Sequence, residues 1–579
     1  MRFRLPLVTW FLLLAAVLAA PLAAQSTPAA QSKPARDGQR APGNRATTAD
    51  DRAAAVATDD LNDVLDRGRT LESDRRWGEA LTLYEDALRL HPSDRHLEQR
   101  LRLSRIHYDL GRRYADHSYR DALAALSPRA AQELYGEVLL KIQSHYVDAP
   151  DWRQLAEYGT TGLELALADP LFVECHLGSV PASRANHFRR QLRDLLARHE
   201  LTSRQSVQNL AAAAARLAHG QLGLPEAVVV LEYTCGATNS LDSYSAFLTA
   251  SQLNEVYSQI EGNFVGLGIE LKAADGALLI VKVITGSPAE RGGILPGDKI
   301  TEVDGQSTAE LSTDQAANLL QGREGSLADV TLVSPGRSPR QLRIRREHVE
   351  VPSIDDARIE DESLGIAYLK LTCFQKTTTR DLNDALWKLH GAGMKSLIID
   401  LRGNPGGLLT TAVDVVDKFV DRGVIVSTRG RSRQEDASYS ARESGTWRVP
   451  LVVLIDGDSA SASEIFAGAI RDHRRGTIVG TRSYGKGSVQ GIFPLGQAST
   501  GLRLTTAKFY SPKGKPYSGI GVTPDVVVPP KAVAHHVARP DLDDDQPLRL
   551  VSPAAPDRSK VDDALETAKG IARQQLARR

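Results

Sequence analysis

Cysteine is scarce in this chain of 579 residues: Cys175, Cys235 and Cys373 are odd in number and far apart. That excludes a disulfide framework and offers no metal-ligand spacing. Each reads as a small buried hydrophobe, with a Cys175–Cys235 bridge the one pairing left open. Net charge is missing as well, because 71 basic residues cancel 71 acidic ones. The chain therefore lacks the electrostatic signature that phosphate contact requires, which excludes bulk binding of DNA or RNA. Beyond the first residues no stretch is long and apolar enough to span a bilayer. What is present, 42% hydrophobic and 25% charged residues, is the composition of a soluble globular protein. At about 100–200 residues per domain, the length calls for three or four domains.

Arg2 and Arg4 precede an apolar run from Leu5 to Ala20 and a small-residue stretch from Ala19 to Ala24. This reads as an export signal over residues 1–24, either cleaved or retained as an N-terminal membrane anchor. Either way the rest of the chain is expected outside the cytoplasm, in a periplasmic or extracellular compartment. Residues 25–58 lack apolar periodicity and read as a disordered linker. In 59–128, Val64, Gly68, Leu71, Ala80, Tyr84, Ala87 and Pro92 fall on the spacing of a tetratricopeptide helix pair. Small Gly68 and Ala80 would let the helices approach while Tyr84 and Ala87 fill the seam. The segment reads either as a plain helical hairpin or as a docking module for a protein partner. Residues 129–255 continue as helices, 256–346 turn strand-like, 347–530 alternate buried strands with helices, and 531–579 form a C-terminal tail with a surface helix from Val561.

In the strand-like region, Phe264-Val-Gly-Leu-Gly-Ile-Glu-Leu271 places two glycines before an edge-type strand, freeing N–H groups to converge on an anion such as a terminal carboxylate. With Gly286-Ser-Pro-Ala-Glu-Arg-Gly-Gly-Ile-Leu-Pro-Gly-Asp-Lys-Ile300, this stretch resembles a PDZ domain of the permuted kind found in bacterial exported proteases. The resemblance implies capture of a free C-terminus by strand addition, with Gly266, Leu267, Gly268 and Ile269 as the carboxylate loop and Thr313 to Leu320 as the groove helix.

Three further segments carry chemistry. Asp458-Ser-Ala-Ser-Ala-Ser-Glu-Ile465 lies between a buried strand and a helical run, so one serine sits at a strand-to-helix elbow near a positive helix end. Alone, it reads equally as an N-cap with packing spacers. Gly480 to Gly487 sets Lys486 between glycines, with no His nearby to serve as base. It is one residue short of a phosphate-binding loop, with Gly487 where the Mg²⁺-binding hydroxyl belongs. A buried lysine can lose its proton near neutral pH, and Gln490 could orient the amine without restoring its charge. Leu397 to Leu408 is a buried strand ending in a glycine-rich turn whose N–H groups suit an oxyanion.

Together these segments resemble the carboxy-terminal processing peptidases, or tail-specific proteases, over roughly 129–165 and 240–530. Leu241 to Leu248, Leu502 to Gly514 and Gly519 to Asp525 add to the match. The resemblance implies a multidomain α+β chain: an N-terminal helical region, a PDZ domain and a ClpP/crotonase-like α/β catalytic domain. It further implies Ser461 as nucleophile, Lys486 as general base, Gln490 as its orienting partner, and the N–H groups of Gly407 and Ala462 as oxyanion donors. Asp472 matches a frequent family acid and is assigned a structural ion pair. Where the family has Asn-x-Gly this chain has Asp456-Gly-Asp458, and Ser243 replaces a proline; both lie outside the triad. No cofactor and no metal are implied. The expected substrates are proteins or peptides with unstructured apolar C-termini, and oligomeric state is left open. The reading from a different class is a non-catalytic PDZ and helical-repeat scaffold on an inactive peptidase fold.

Overall fold

A computed structural model describes residues 61–91, 93–178, 180–274, 277–309, 319–442, 445–529 and 562–578, together with the backbone of Leu13–Leu14. The expected export signal and linker therefore lie outside the described residues, apart from that dipeptide.

The first helices are α1 (Leu61–Ser73), α2 (Trp77–Leu90) and α3 (Arg95–Ala115). Gly68 earns its place by size: a Cβ there would overlap the Tyr84 ring. Val64, Ala80, Tyr84 and Ala87 form the buried seam, and Tyr84 Oη donates to Glu72 Oε1 at 2.8 Å. Then come α4 (His117–Ala125), α5 (Pro128–His145), α6 (Trp152–Ala166), α7 (Ala182–Arg198), α8 (Arg204–Leu222) and α9 (Glu226–Asn239). The run Val228 to Leu231 is β-branched and apolar, yet it lies inside α9. That helix is buried on every side between α5, α6 and α8, and tertiary burial overrides its local strand preference.

One core runs from Leu110 through α9 to Leu502 and Leu504, on a strand of the second sheet described below, crossing the boundary read at 128/129. Arg113 Nη2 and Tyr114 Oη donate to Glu232 at 2.7 and 3.0 Å, all three buried. The cysteine bridge left open in the sequence is not formed. Cys175 is exposed, Cys235 is buried and both are free, and burial pushes the Cys235 thiol up to about 12.

A short strand, β1 (Ala246–Leu248), and helix α10 (Ala250–Glu261) lead to β2 (Asn263–Gly266) and β3 (Ile269–Ala274). The strand-like stretch Phe264–Leu271 is thus divided between two strands, because Gly268 adopts φ +82°, a left-handed conformation that interrupts a ladder. β3 is the edge of a sheet completed by β4 (Ala277–Val283), β5 (Lys299–Val303), β6 (Leu327–Val333) and β7 (Arg340–Arg345). β2 pairs antiparallel with β8 (Glu347–Glu350) as a two-stranded ribbon joining this domain to the next. Of the expected groove helix only Leu319 and Leu320 lie among the described residues, and they are helical.

The catalytic sheet has the order β9 (Ile354–Asp361), β10 (Ile366–Leu371), β11 (Ser396–Asp400), β14 (Leu451–Ile455), β15 (Thr477–Gly480), β18 (Val526–Val527). From β10 onward neighbouring strands are parallel. That geometry requires crossovers, which α11 (Thr378–Gly391), α12 (Leu409–Asp417) and α13 (Ala462–Asp472) supply. A second sheet holds β12 (Val424–Gly430), β13 (Ala437–Ser440), β16 (Ser488–Pro494) and β17 (Gly501–Tyr510). β1 pairs with β17 there, and Leu13–Leu14 pairs with β16. The helix read as lying on the surface, α14 (Asp563–Ala577), instead buries Ala568 and Ala572 against Ile366, Ile398, Val452 and Val479 of the catalytic sheet.

Candidate active site

Three parallel strands deliver the three motifs to one place. The chain leaves β11 through residues 401–408, β14 through 456–461 and β15 through 481–487, all at carboxyl ends of strands, where open α/β sheets place their ligands.

Ser461 caps α13 with φ +56° and ψ −111°, a conformation that strains any residue with a Cβ by about 1–3 kcal/mol. Such strain aims a nucleophile out of a strand-to-helix elbow. The three serines of the segment are all buried but differ in commitment. Ser459 Oγ donates to Leu401 O at 2.8 Å and Ser463 Oγ to Asn404 O at 2.9 Å. Ser461 Oγ makes no hydrogen bond among the described residues.

Lys486 is fully buried, and its Nζ lies 4.4 Å from the centroid of the Tyr244 ring. Its backbone N–H and that of Ser461 each donate to Glu464 Oε2 at 2.8 Å. The Ser461 and Lys486 backbones are therefore two hydrogen bonds apart. Ser483 Oγ and Gly485 N–H donate to Oε1 at 2.6 and 2.7 Å. Burial pushes the Glu464 carboxyl up to about 7 against the opposing pull of these four donors. Glu464 was not singled out from sequence, although Ser461-x-x-Glu464 is the spacing of a capping box. Gln490 stands on β16, its Nε2 donating to Ser488 Oγ at 2.9 Å and Thr505 Oγ1 at 3.3 Å.

Gly406 and Gly407 press against the elbow and its neighbour. A Cβ on Gly406 would lie 2.8 Å from Ser461 Cβ and 2.9 Å from Ala462 N. Gly407 has φ +143° and bridges Phe374, whose carbonyl accepts the Leu408 N–H at 2.6 Å. The N–H groups of Gly407 and Ala462 donate to no acceptor among the described residues, and that of Ala462 is one of the free donors at a helix start. Asn404, also not singled out, binds the loop to both sides: Nδ2 donates to Leu371 O, and its carbonyl accepts from Ala460 N and Ser463 Oγ. Asp472 accepts from Ser511 Oγ at 2.7 Å and pairs with Lys513 at 3.6 Å.

In the smaller domain, Gly266 ends β2 and Ile269 begins β3. The Leu267 side chain is buried in the domain core, which leaves its backbone as the part that can face a ligand. Ile269 and Leu319 remain partly buried beside that core. Among the described residues no His, Cys, Asp and Glu cluster could hold a metal, and no helix is long and apolar enough to cross a membrane.

The family model for Peptidase family S41 matches residues 365–528, and a PDZ domain model matches 279–333. The "Carboxy-terminal-processing protease" of Bartonella bacilliformis is 40% identical over 299 residues, 51% of this chain and 68% of that one. The "Probable CtpA-like serine protease" of Staphylococcus haemolyticus is 32% identical over 50% of this chain and 57% of its own length. Among solved structures, a photosystem II D1 C-terminal processing protease matches 74% of this chain and 99% of that chain at 25% identity, with a TM-score of 0.37. With two family models on the segments that carry the site and the PDZ sheet, and a relative at that identity over two thirds of its length, the chain belongs to the carboxy-terminal-processing serine proteases of peptidase family S41.

Proposed function

We propose that this protein is an exported serine endopeptidase that captures unstructured, apolar C-termini in its PDZ domain and cleaves them through an acyl-enzyme on Ser461. Neutral Lys486 takes the Ser461 hydroxyl proton as Oγ attacks the scissile carbonyl carbon. Burial favours that neutral amine by penalising the ammonium, and Gln490, fixed by Ser488 and Thr505, orients it. The N–H groups of Gly407 and Ala462 stabilise the oxyanion. Collapse expels the new amine terminus, which takes its proton from the Lys486 ammonium, and water, deprotonated by the same lysine, releases the acyl group. The terminal carboxylate of the substrate is held by the N–H groups of residues 266–269 while its chain adds to the β3 edge. The N-terminal apolar run directs export to a periplasmic or extracellular site, and the tetratricopeptide-like helices offer a surface for a protein partner.

The observation that carries this reading is the unequal commitment of three buried serines, with only the Ser461 hydroxyl uncommitted, on a backbone that shares the Glu464 carboxylate with that of buried Lys486. It also argues against an inactive scaffold, which has no need of a strained, unpartnered hydroxyl. The test is cleavage of an unstructured peptide. Ser461→Ala and Lys486→Ala should each abolish it with the fold intact, since nucleophile and base act as one unit. Activity that survives Ser461→Ala but is lost in a folded Ser459→Ala or Ser463→Ala variant would refute the assignment.

A further inference from the structure

Helix α14 lies beyond the segment that the peptidase family model matches, yet its first turn reaches into the active-site loops. Asp562 caps the helix, accepting the Leu565 N–H at 3.1 Å. The same carboxylate receives Arg402 in a two-point fork, Nη1 to Oδ1 at 3.0 Å and Nη2 to Oδ2 at 2.8 Å. Arg402 forks simultaneously onto Asp400 at the end of β11, Nε to Oδ1 at 2.9 Å and Nη2 to Oδ2 at 2.6 Å, and its own backbone N–H returns to Asp400 Oδ1. Asp400 is buried and also accepts from Tyr368 Oη at 2.8 Å. One guanidinium thus joins the last residue of β11 to the start of α14 through paired charge-assisted bonds, the geometry that only arginine provides.

The next residue carries the connection onward. Gly403 N–H donates to Asp456 Oδ1 at 3.0 Å, and the same oxygen accepts the Ser459 N–H at 3.0 Å. The loop that ends in Gly407 and the loop that ends in Ser461 are therefore tied together at the residue following Arg402. The rest of the helix is pinned along the sheet. Lys569 reaches Glu360, Arg573 reaches Asp361 at 3.1 Å, and Gln575 reaches Thr477 Oγ1 at 3.1 Å. Ala568 and Ala572 allow close approach over β10, β11, β14 and β15.

We infer that Asp562 is a positioning residue for catalysis: through Arg402 it sets the spacing between the Gly407 loop and the Ser461 elbow, which makes the C-terminal helix part of the working peptidase. The inference rests on the functional reading above, because it concerns the distance between nucleophile and oxyanion donor. A site held about 1 Å too loosely keeps its substrate but loses rate.

The test uses the full chain and one unstructured peptide. Asp562→Asn retains the helix cap, since asparagine caps as well as aspartate, and removes the charge facing Arg402. Arg402→Lys retains the charge and removes the fork. Both should lower kcat about tenfold or more, with KM and the affinity for a free C-terminal peptide unchanged, and Asp562→Asn should unfold close to the parent's denaturant midpoint. Should Asp562→Asn release the helix from hydrogen-exchange protection, Arg402→Lys decides. A midpoint that falls while kcat stays within twofold of the parent marks a purely structural contact and overturns the inference. A parent whose cleavage does not depend on Ser461 overturns the functional reading itself, and this inference with it. A parent with Ser461-dependent cleavage, matched by both variants, overturns the inference alone.

Discussion

Replacing Gly407 by alanine adds one methyl group at the tightest point of the site. Built on the present backbone, that Cβ overlaps the Phe374 carbonyl oxygen and lies 2.7 Å from its carbon. The neighbour is backbone, already engaged by the Leu408 N–H, so it cannot rotate away as a flexible side chain would. A φ of +143° adds strain of roughly 1–3 kcal/mol for a residue with a Cβ, and overpacking adds about 1–3 kcal/mol more. The protein should lose roughly 2–6 kcal/mol of stability, less whatever the loop recovers by shifting. That shift is what moves the Gly407 N–H. Loss of one oxyanion donor lowers kcat by about 10²–10³-fold, with KM nearly unchanged. Gly393→Ala is the control: it precedes the amino end of β11, away from the site loops, with φ +95° and nothing within 4 Å of its Cβ, so it imposes strain without collision and should leave kcat within a few fold. Steady-state cleavage with a denaturant titration of each variant separates the two effects. A folded Gly407→Ala protein with kcat within threefold of the parent would refute the assignment of this N–H to the oxyanion.

Three other outcomes follow from the same geometry. Glu464→Gln offers one acceptor end to two pairs of donors, so either the Ser461 and Lys486 N–H groups or their counterparts lose their partner; kcat at pH 8 should fall at least about tenfold. The Glu464 carboxyl is raised from 4.5 to about 7 in the fold, so the stability it contributes is full below its unfolded pKa and declines as pH rises through about 7. Denaturant midpoints between pH 5 and 8 should shift in favour of Glu464→Gln, and a pH-independent difference contradicts this. Asp562 titrates the opposite way. Burial raises it, but the Arg402 fork, with Asp400 and Tyr368 on the far side, more than offsets this and leaves it below 3.8. Its stabilisation is present above that value and lost as pH falls through the folded pKa, so hydrogen-exchange protection of α14 should fall in acid in the parent toward the level of Asp562→Asn, and show little such pH dependence in that variant. For the PDZ domain, with Ser461→Ala protein to prevent turnover, fluorescence anisotropy should rank a free-acid apolar peptide above its amidated and Asp-terminated forms; equal affinities would reduce the domain to a structural lid.

The parts of the site that were legible in sequence are local. Ser461, Lys486 and the Gly406–Gly407 turn each follow a short buried strand, and a strand followed by glycine or a capped helix announces itself within ten residues. Glu464 had a local signal too, the capping spacing after Ser461, but its second role, bridging to Ser483, Gly485 and Lys486, depends on a loop about 20 residues away. The split of Phe264–Leu271 turned on one φ angle at Gly268, which apolar patterning does not encode. Val228 to Leu231 falls within the stretch read as helical, although periodicity marks no buried face there, since a helix buried all round shows none. The contacts of α14 were invisible for a further reason: Ala568 and Ala572 are too small to mark a buried face, and Asp562 meets Arg402 across 160 residues of chain.

The pair between Arg113 and Glu232 bears on how the protein can be divided. These residues are 119 positions apart, one on a helix that continues the N-terminal repeat and the other on the central helix of the peptidase body. Burial raises the Glu232 carboxyl against the pull of Arg113, Tyr114 and Tyr119. A protein trimmed at residue 128 would retain the acid and lose all three partners, and stranding a buried charge in this way costs about 3–5 kcal/mol. The same cut would expose the apolar surface now covered by Leu110, Tyr114, Tyr119 and Leu123. The first half of the helical extension, up to Leu97, has a small seam of its own. The second half is a wall of the enzyme, and a shortened version that keeps activity has to begin before residue 110.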